Sequence, residues 1–81
     1  MRELINVEEV AVKFNVSKAT VNYYTNIGLI NVHQKKKNKR LYDVEDVSKR
    51  IEKIRDMMNV GYTLRLIQRE FAQSEEFNSI I

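Results

Sequence analysis

The feature of this sequence that most restricts its fold is a pair of short helical segments separated by a very short turn. The first segment begins at Asn6, with Glu9 placed as in a capping box. Asn15 stands where this segment should end, and Ser17 is a suitable N-cap for the second segment, which Gly28 closes. The apolar residues of the first segment recur at helical spacing, at Val7, Val10, Ala11 and Phe14. Two short helices joined by about three residues predict a helix-turn-helix.

A basic β-hairpin is predicted directly after the second helix. Residues that favour strands precede and follow the run KKKNK, and Asn38 within this run suits a turn position. A two-stranded ribbon is not stable alone, so it must lie against the helices. A basic hairpin in this place is the wing of a winged helix-turn-helix.

Two further helices are predicted after the wing. Asp43 is the N-cap of the first, and Gly61 ends it. Thr63 is the N-cap of the last helix. The apolar residues with helical spacing are Val44, Val47, Ile51, Ile54 and Met58 in the first helix and Leu64, Ile67 and Phe71 in the last.

The predicted fold class is therefore mostly α, a winged helix-turn-helix with a short two-stranded β-hairpin wing and two additional C-terminal helices. Residues 1–72 should form this one domain. Residues 73–81 should either extend the last helix or form a disordered tail. A chain of this size buries a modest core, so we expect a stability of only a few kcal/mol.

The charged residues are strongly segregated along the chain. The net charge is only +3, but all 11 acidic residues lie outside residues 10–42. The basic residues inside that range are Lys13, Lys18, Lys35, Lys36, Lys37, Lys39 and Arg40. Segregated positive charge is expected where the partner is a polyanion, although a solvated basic loop is the simpler alternative.

Several classes of protein are disfavoured by what the sequence lacks. It has no cysteine and a single histidine, His33, so we expect no disulfide and no metal site. It has no Gly-rich phosphate loop, catalytic triad or His–carboxylate cluster, so we expect no enzyme activity and no cofactor. No apolar run approaches the roughly 18 residues that span a bilayer. The N-terminus does not resemble a signal peptide. We therefore expect a cytoplasmic, nucleoid-associated protein without membrane contact.

The second helix, residues 18–26, is the candidate recognition helix, whose N-terminal part should enter the major groove of double-stranded DNA. Lys18, Ala19 and Asn22 should share one face, where lysine suits guanine or phosphate, alanine a thymine methyl group and asparagine the adenine edge. Tyr23 should reach a phosphate, whereas Tyr24 should pack against the third helix. The Thr20 hydroxyl could serve either purpose.

The wing, residues 33–42, should make a different kind of contact. Flexible lysines at a hairpin tip neutralise phosphates or enter the minor groove and do not read sequence. Arg40 and Tyr42 alternate onto one face and could flank a phosphate, although Tyr42 could instead cover the core beneath the wing. The candidate lysines of the wing are Lys35, Lys36, Lys37 and Lys39.

The order of these motifs resembles the DNA-binding domain of the MerR family of bacterial transcription regulators, over about residues 5–71. The resemblance rests on the Val16–Ser17 turn, the Tyr23–Tyr24 pair, Ile27–Gly28–Leu29, Arg40–Leu41–Tyr42 and Gly61–Tyr62–Thr63–Leu64. It implies binding to promoter DNA, with two copies pairing on the DNA. The positions that match DNA-contacting positions of the family are Ser17, Lys18, Thr20, Tyr23, Arg40 and Tyr42.

The sequence departs from the family pattern at three points near the proposed interface. Asn22 replaces the usual arginine, Asn15 replaces a common glycine, and a lysine run replaces the usual glycine-tyrosine approach in the wing. The wing should therefore depend more on plain electrostatics.

Family regulators usually continue into a dimerising helix and an effector domain. The chain is thus either a DNA-binding fragment or a short excisionase-like or architectural factor on the same fold, and we expect the isolated chain to be monomeric. An alternative of another class is an interaction module whose basic face docks an acidic protein. Salt-dependent binding to duplex DNA separates this last possibility from the others.

Overall fold

A computed structural model describes residues 2–80 of the chain, with side chains described up to residue 73. The fold is a winged helix-turn-helix with two additional helices, as predicted. The elements in chain order are β1 (Leu4–Asn6), α1 (Val7–Phe14), α2 (Lys18–Asn26), β2 (Gln34–Lys36), β3 (Lys39–Asp43), α3 (Val44–Asn59) and α4 (Leu64–Ile80). Residue 81, the end of the proposed tail, lies outside the described residues.

The predicted helix caps are present. Asn6 and Glu9 form a reciprocal capping box, in which the Glu9 N–H donates to Asn6 Oδ1 at 2.9 Å and the Asn6 N–H donates to Glu9 Oε1 at 3.1 Å. Ser17 Oγ accepts from the Thr20 N–H at 3.0 Å, and Asp43 Oδ1 accepts from the Glu45 N–H at 3.0 Å. These side chains satisfy backbone donors that have no partner within the first helical turn.

The turn between α1 and α2 depends on a left-handed residue at Asn15, with φ 56° and ψ 50°. Asparagine adopts this conformation at lower cost than most residues. The Val16 N–H then donates to the carbonyl oxygen of Ala11 at 3.0 Å, which closes the end of α1. Arg55 of α3 donates to the carbonyl oxygen of Phe14, so the negative end of the α1 dipole faces a cation.

The wing belongs to a three-stranded antiparallel sheet with strand order β1-β3-β2. The prediction of a two-stranded wing was therefore incomplete, because β1 pairs with β3 and places Ile5 opposite Tyr42. A strand of 3 residues is too short to show an alternating apolar pattern, so no local signal predicts it. The wing is thus attached to the domain by β1 as well as by its packing on the helices.

The tip of the wing is a two-residue turn formed by Lys37 and Asn38. Both residues have positive φ angles, 51° and 65°, the combination that type I′ hairpin turns require. The prediction of a turn at Asn38 is confirmed, and Lys37 shares the conformation. This turn matches the right-handed twist of the strands, so β2 and β3 stay in register to the tip.

The core consists of two apolar clusters joined by Tyr24. The first holds α1, α2 and α3 against the sheet, and the second holds α4 against α3. Tyr24 is half-buried and packs against both clusters, in agreement with the prediction that it is the inward-facing tyrosine of the pair. The largest fully buried side chains are Tyr42, Leu29, Ile30, Ile54, Ile67, Val10, Val21 and Val47.

One assignment to the buried side of α3, that of Met58, was wrong. Met58 is 46% exposed, whereas Met57 packs against the second cluster. The buried row continues from Ile54 by three positions and not by four, because the buried side of an α-helix must follow its period of about 3.6 residues.

Candidate nucleic-acid interface

The recognition helix α2 exposes one continuous row of polar side chains. Lys18, Asn22 and Asn26 recur every fourth residue, so they share a face, and all three are exposed. Ala19 and Ser17 are exposed beside this row, and Ser17 Oγ lies 2.9 Å from the hydroxyl oxygen of the half-buried Thr20. The N-terminal part of α2 is therefore open to a ligand.

The wing reaches the same face of α2 through Arg40. Its Nη1 donates to Asn22 Oδ1 at 3.5 Å, and its Nη2 donates to Asn26 Oδ1 at 3.3 Å. One guanidinium group thus bridges two successive turns of the recognition helix. The helix and the wing consequently form one surface, which we call the α2–wing surface and define by Lys18, Asn22, Asn26 and residues 35–40.

A cleft of about 310 Å³ opens on this surface between α2, the wing and the start of α1. Asn22 forms one wall, and Asn38, Lys39 and Arg40 form another. The remaining wall is Asn6, Val7 and Glu8. Asn22 of α2 and the tip of the wing therefore line the same cleft.

The wing brings cations into direct opposition across its two strands. Lys35 pairs with Arg40, and Lys36 pairs with Lys39. Like charges at directly opposed positions destabilise an antiparallel pair. Arg40 is half-buried, while the lysines of the wing, including Lys37 at the turn, are exposed. The hairpin therefore concentrates positive charge at a cost to its own stability.

Tyr42 does not belong to the exposed surface, so its assignment as a phosphate contact was wrong. Its side chain is fully buried, and its hydroxyl oxygen lies 2.8 Å from Thr25 Oγ1. Because the Thr25 hydroxyl donates to the carbonyl oxygen of Val21 at 2.8 Å, the proton between the two hydroxyls comes from Tyr42. Tyr42 instead covers the core beneath the wing and anchors β3 to α2.

The two adjacent tyrosines of α2 have separate environments. Tyr23 is 50% exposed, whereas Tyr24 is half-buried between the two core clusters. Their ring centroids are 6.4 Å apart at an interplanar angle of 48°. Of these two tyrosines, Tyr23 is therefore the one that is exposed to an external partner.

Asn26 was missed by the sequence reasoning, although a signal for it was present. It stands four residues after Asn22 and eight after Lys18, so helical spacing alone places it on the same face. Its contact with Arg40 had no comparable signal, because the two residues are far apart in the chain and lie in different elements.

Among the described side chains, residues 2–73, no group of three or more His, Asp or Glu is placed to hold a metal ion. No helix of the described chain combines the length and the apolar character that crossing a membrane requires.

Comparisons with known proteins agree with this geometry. The model of the MerR helix-turn-helix family of regulatory proteins matches residues 5–74. The HTH-type transcriptional regulator AdhR of Bacillus subtilis (strain 168) is 39% identical over 64 residues, which are 78% of this chain and 45% of that regulator. This chain thus spans less than half the length of that relative. No solved structure matched the chain.

Proposed function

The chain belongs to the MerR family of helix-turn-helix regulatory proteins and carries the DNA-binding domain of a bacterial transcription regulator, and from this we propose how it binds. In our proposal the N-terminal part of α2 enters the major groove of a promoter. Lys18, Ala19, Asn22 and Tyr23 meet base edges or the adjoining phosphates, and Ser17 and Thr20 face the backbone at the start of the helix.

The observation that carries this proposal is the bridge from Arg40 to α2. Its guanidinium contacts Asn22 and Asn26, and the buried Tyr42 hydroxyl contacts Thr25, so the wing lies directly against the recognition helix. A helix in the major groove then places the wing over the neighbouring phosphates or minor groove. Lys35, Lys36, Lys37, Lys39 and Arg40 would there neutralise phosphate charge.

The charge arrangement of the wing also supports a polyanionic partner. Two opposed cation pairs in a short hairpin destabilise the free protein, and the phosphates of a duplex would relieve that repulsion. An acidic protein could relieve it as well. A duplex, however, also has a groove that fits the polar row of α2, and this second match favours DNA.

The test is selection of bound duplexes from a random pool, followed by affinity measurements at several salt concentrations. We expect a defined motif. The affinity for it should fall by on the order of a hundredfold or more between about 50 and 200 mM salt, because several condensed counterions are released. Binding without any preferred motif would contradict sequence-specific regulation and favour an architectural factor. Salt-independent binding, or none, would contradict the DNA-binding proposal.

A further inference from the structure

We propose that Arg40 is a positioning residue for base recognition, which turns Asn22 and Asn26 into hydrogen-bond donors and makes α2 prefer guanine to adenine. This inference rests on the proposed function and goes beyond it, because it names the class of base edge that is read. It also adds Asn26, the last residue of α2, to the recognising side chains, so the base contacts extend beyond the N-terminal part of the helix.

The first step is the chemistry of the contact. A guanidinium group has five N–H donors and no acceptor, so an amide side chain can approach it only through its oxygen. Both amide oxygens do so, Asn22 Oδ1 at 3.5 Å from Nη1 and Asn26 Oδ1 at 3.3 Å from Nη2. The positive charge of Arg40 therefore fixes which end of each amide faces the wing.

The second step is what remains available for a base. With each Oδ1 turned toward Arg40, the Nδ2 group is the end of each amide that is left for an external partner. Within the described part of the chain, no protein acceptor contacts either Nδ2 group. The ammonium group of Lys18, on the same face, can also only donate hydrogen bonds, because it has no acceptor atom. The row that α2 presents thus consists of donors.

The third step is the matching of this row to the base edges. In the major groove guanine presents two acceptors, N7 and O6, whereas adenine presents one acceptor, N7, beside the N6 donor. Asparagine reads adenine by donating to N7 and accepting from N6 at once, which requires its oxygen to face the base. That oxygen faces the wing here and already accepts from Arg40, so the adenine pairing is disfavoured and the guanine edge is the better partner.

Arg40 keeps the capacity to bind phosphate while it holds the two amides. Two of its N–H groups are used in these contacts, and others stay free on the same planar group. Its side chain is only half-buried, so these remaining donors can meet solvent or DNA. A single side chain therefore links the charge-driven contact of the wing to base recognition by the helix.

The test compares duplexes selected by the 81-residue chain, by Arg40→Met and by Lys36→Met. Both variants remove one wing cation, but only Arg40 contacts the amides. We expect guanine in the wild-type motif at the positions that face Asn22 and Asn26. Arg40→Met should shift the guanine-to-adenine ratio there by on the order of tenfold toward adenine. Lys36→Met should weaken all duplexes while returning the wild-type motif.

Two results would overturn the inference while leaving DNA binding intact. The first is adenine at those positions in the wild-type motif, and the second is an unchanged motif for Arg40→Met. Asn26→Ala supplies an independent variant, which should lose base preference at one position, and an unchanged preference would remove Asn26 from the recognising set. A wild-type chain that selects no motif would instead overturn the proposed function, and this inference with it.

A measurement without DNA tests the contact itself. The side-chain amide resonances of Asn22 and Asn26 should shift in the NMR spectrum of Arg40→Met and stay in place in that of Lys36→Met. The backbone spectrum of each variant reports whether the fold is retained. Side-chain resonances that do not respond to Arg40→Met would show that Arg40 does not orient the amides.

Discussion

At the scale of single residues, polar side chains hold the elements in place over short and long separations in the chain. The caps at Asn6, Ser17 and Asp43 act on backbone groups within three residues. The partner of the Tyr42 hydroxyl is Thr25, 17 positions away in another element. No local pattern contains that distance, so the sequence left two environments open for Tyr42, a phosphate contact and the core beneath the wing, and the second is correct.

Tyr42→Phe tests the structural role of this hydroxyl. We expect the free energy of unfolding to fall by about 1 kcal/mol, because one buried hydrogen bond is lost while the ring still fills the core. Urea unfolding measures this change. The affinity for duplex DNA, measured under conditions in which the variant remains folded, should stay near that of the wild type. Unchanged stability together with weaker DNA binding would show that the hydroxyl contacts a phosphate after all.

Asn22→Ala and Lys36→Ala separate base reading from phosphate neutralisation. Asn22→Ala should change the preferred sequence, because it removes a side chain that faces the base edges. Lys36→Ala should weaken all duplexes about equally and reduce the salt dependence, because one fewer counterion is released. Binding titrations against the selected motif and its single-base variants measure both effects. An unaltered preference in Asn22→Ala would remove its role in base reading.

At the scale of the elements, the helices were predictable and the sheet was only partly so. Each helix combines caps with apolar residues at helical spacing. In α1, for example, the caps Asn6 and Asn15 enclose the buried residues Val10 and Ala11. β1 has neither a turn signal nor enough length for alternation, and it is defined only by its pairing with β3. A strand that exists through a distant partner is invisible to local reasoning.

The opposed cations of the wing should lower the stability of the free protein and raise its affinity for DNA. Lys36→Thr removes the repulsion with Lys39 and introduces a residue that favours strands, so we expect the free energy of unfolding to rise by a few tenths of a kcal/mol at low salt. Affinity for DNA should fall in the same variant. Thermal unfolding and duplex titration measure the two effects.

Added salt supplies the control for this prediction. Screening reduces repulsion between exposed charges, so the part of the stabilisation that is electrostatic should shrink as the ionic strength approaches about 1 M. A variant that is less stable than the wild type at low salt would show that the lysine pair does not strain the hairpin.

At the scale of the whole molecule, the described chain carries the α2–wing surface, which we propose binds DNA, and a small core. The α2–wing surface is polar and cationic. The family fold and its approximate extent were predictable from the order of the motifs in the sequence. Each motif belongs to one element of the fold: the turn, the wing or a helix. The shared location of Asn22 and the wing tip was also predictable, since a wing packed after α2 has few places to lie.

We expect the isolated chain to be monomeric and to bind one half-site weakly. A single copy meets a single half-site, so about half of the DNA contacts that a pair of copies would make are missing. The chain spans 45% of the relative that it matches. Sedimentation velocity measures the mass without DNA, and titration with one or two half-sites measures the coupling. A tight dimer in the absence of DNA would contradict this expectation.

The place of β1 in the sheet has a consequence for synthesis on the ribosome. Leu4–Asn6 leave the exit tunnel early, but their pairing partner, Lys39–Asp43, emerges only after both helices of the turn have been made. Tyr42, the largest fully buried side chain, arrives with that late strand. The nascent chain therefore holds two helices with an open core until β3 and then α3 have emerged, so the complete fold is acquired late.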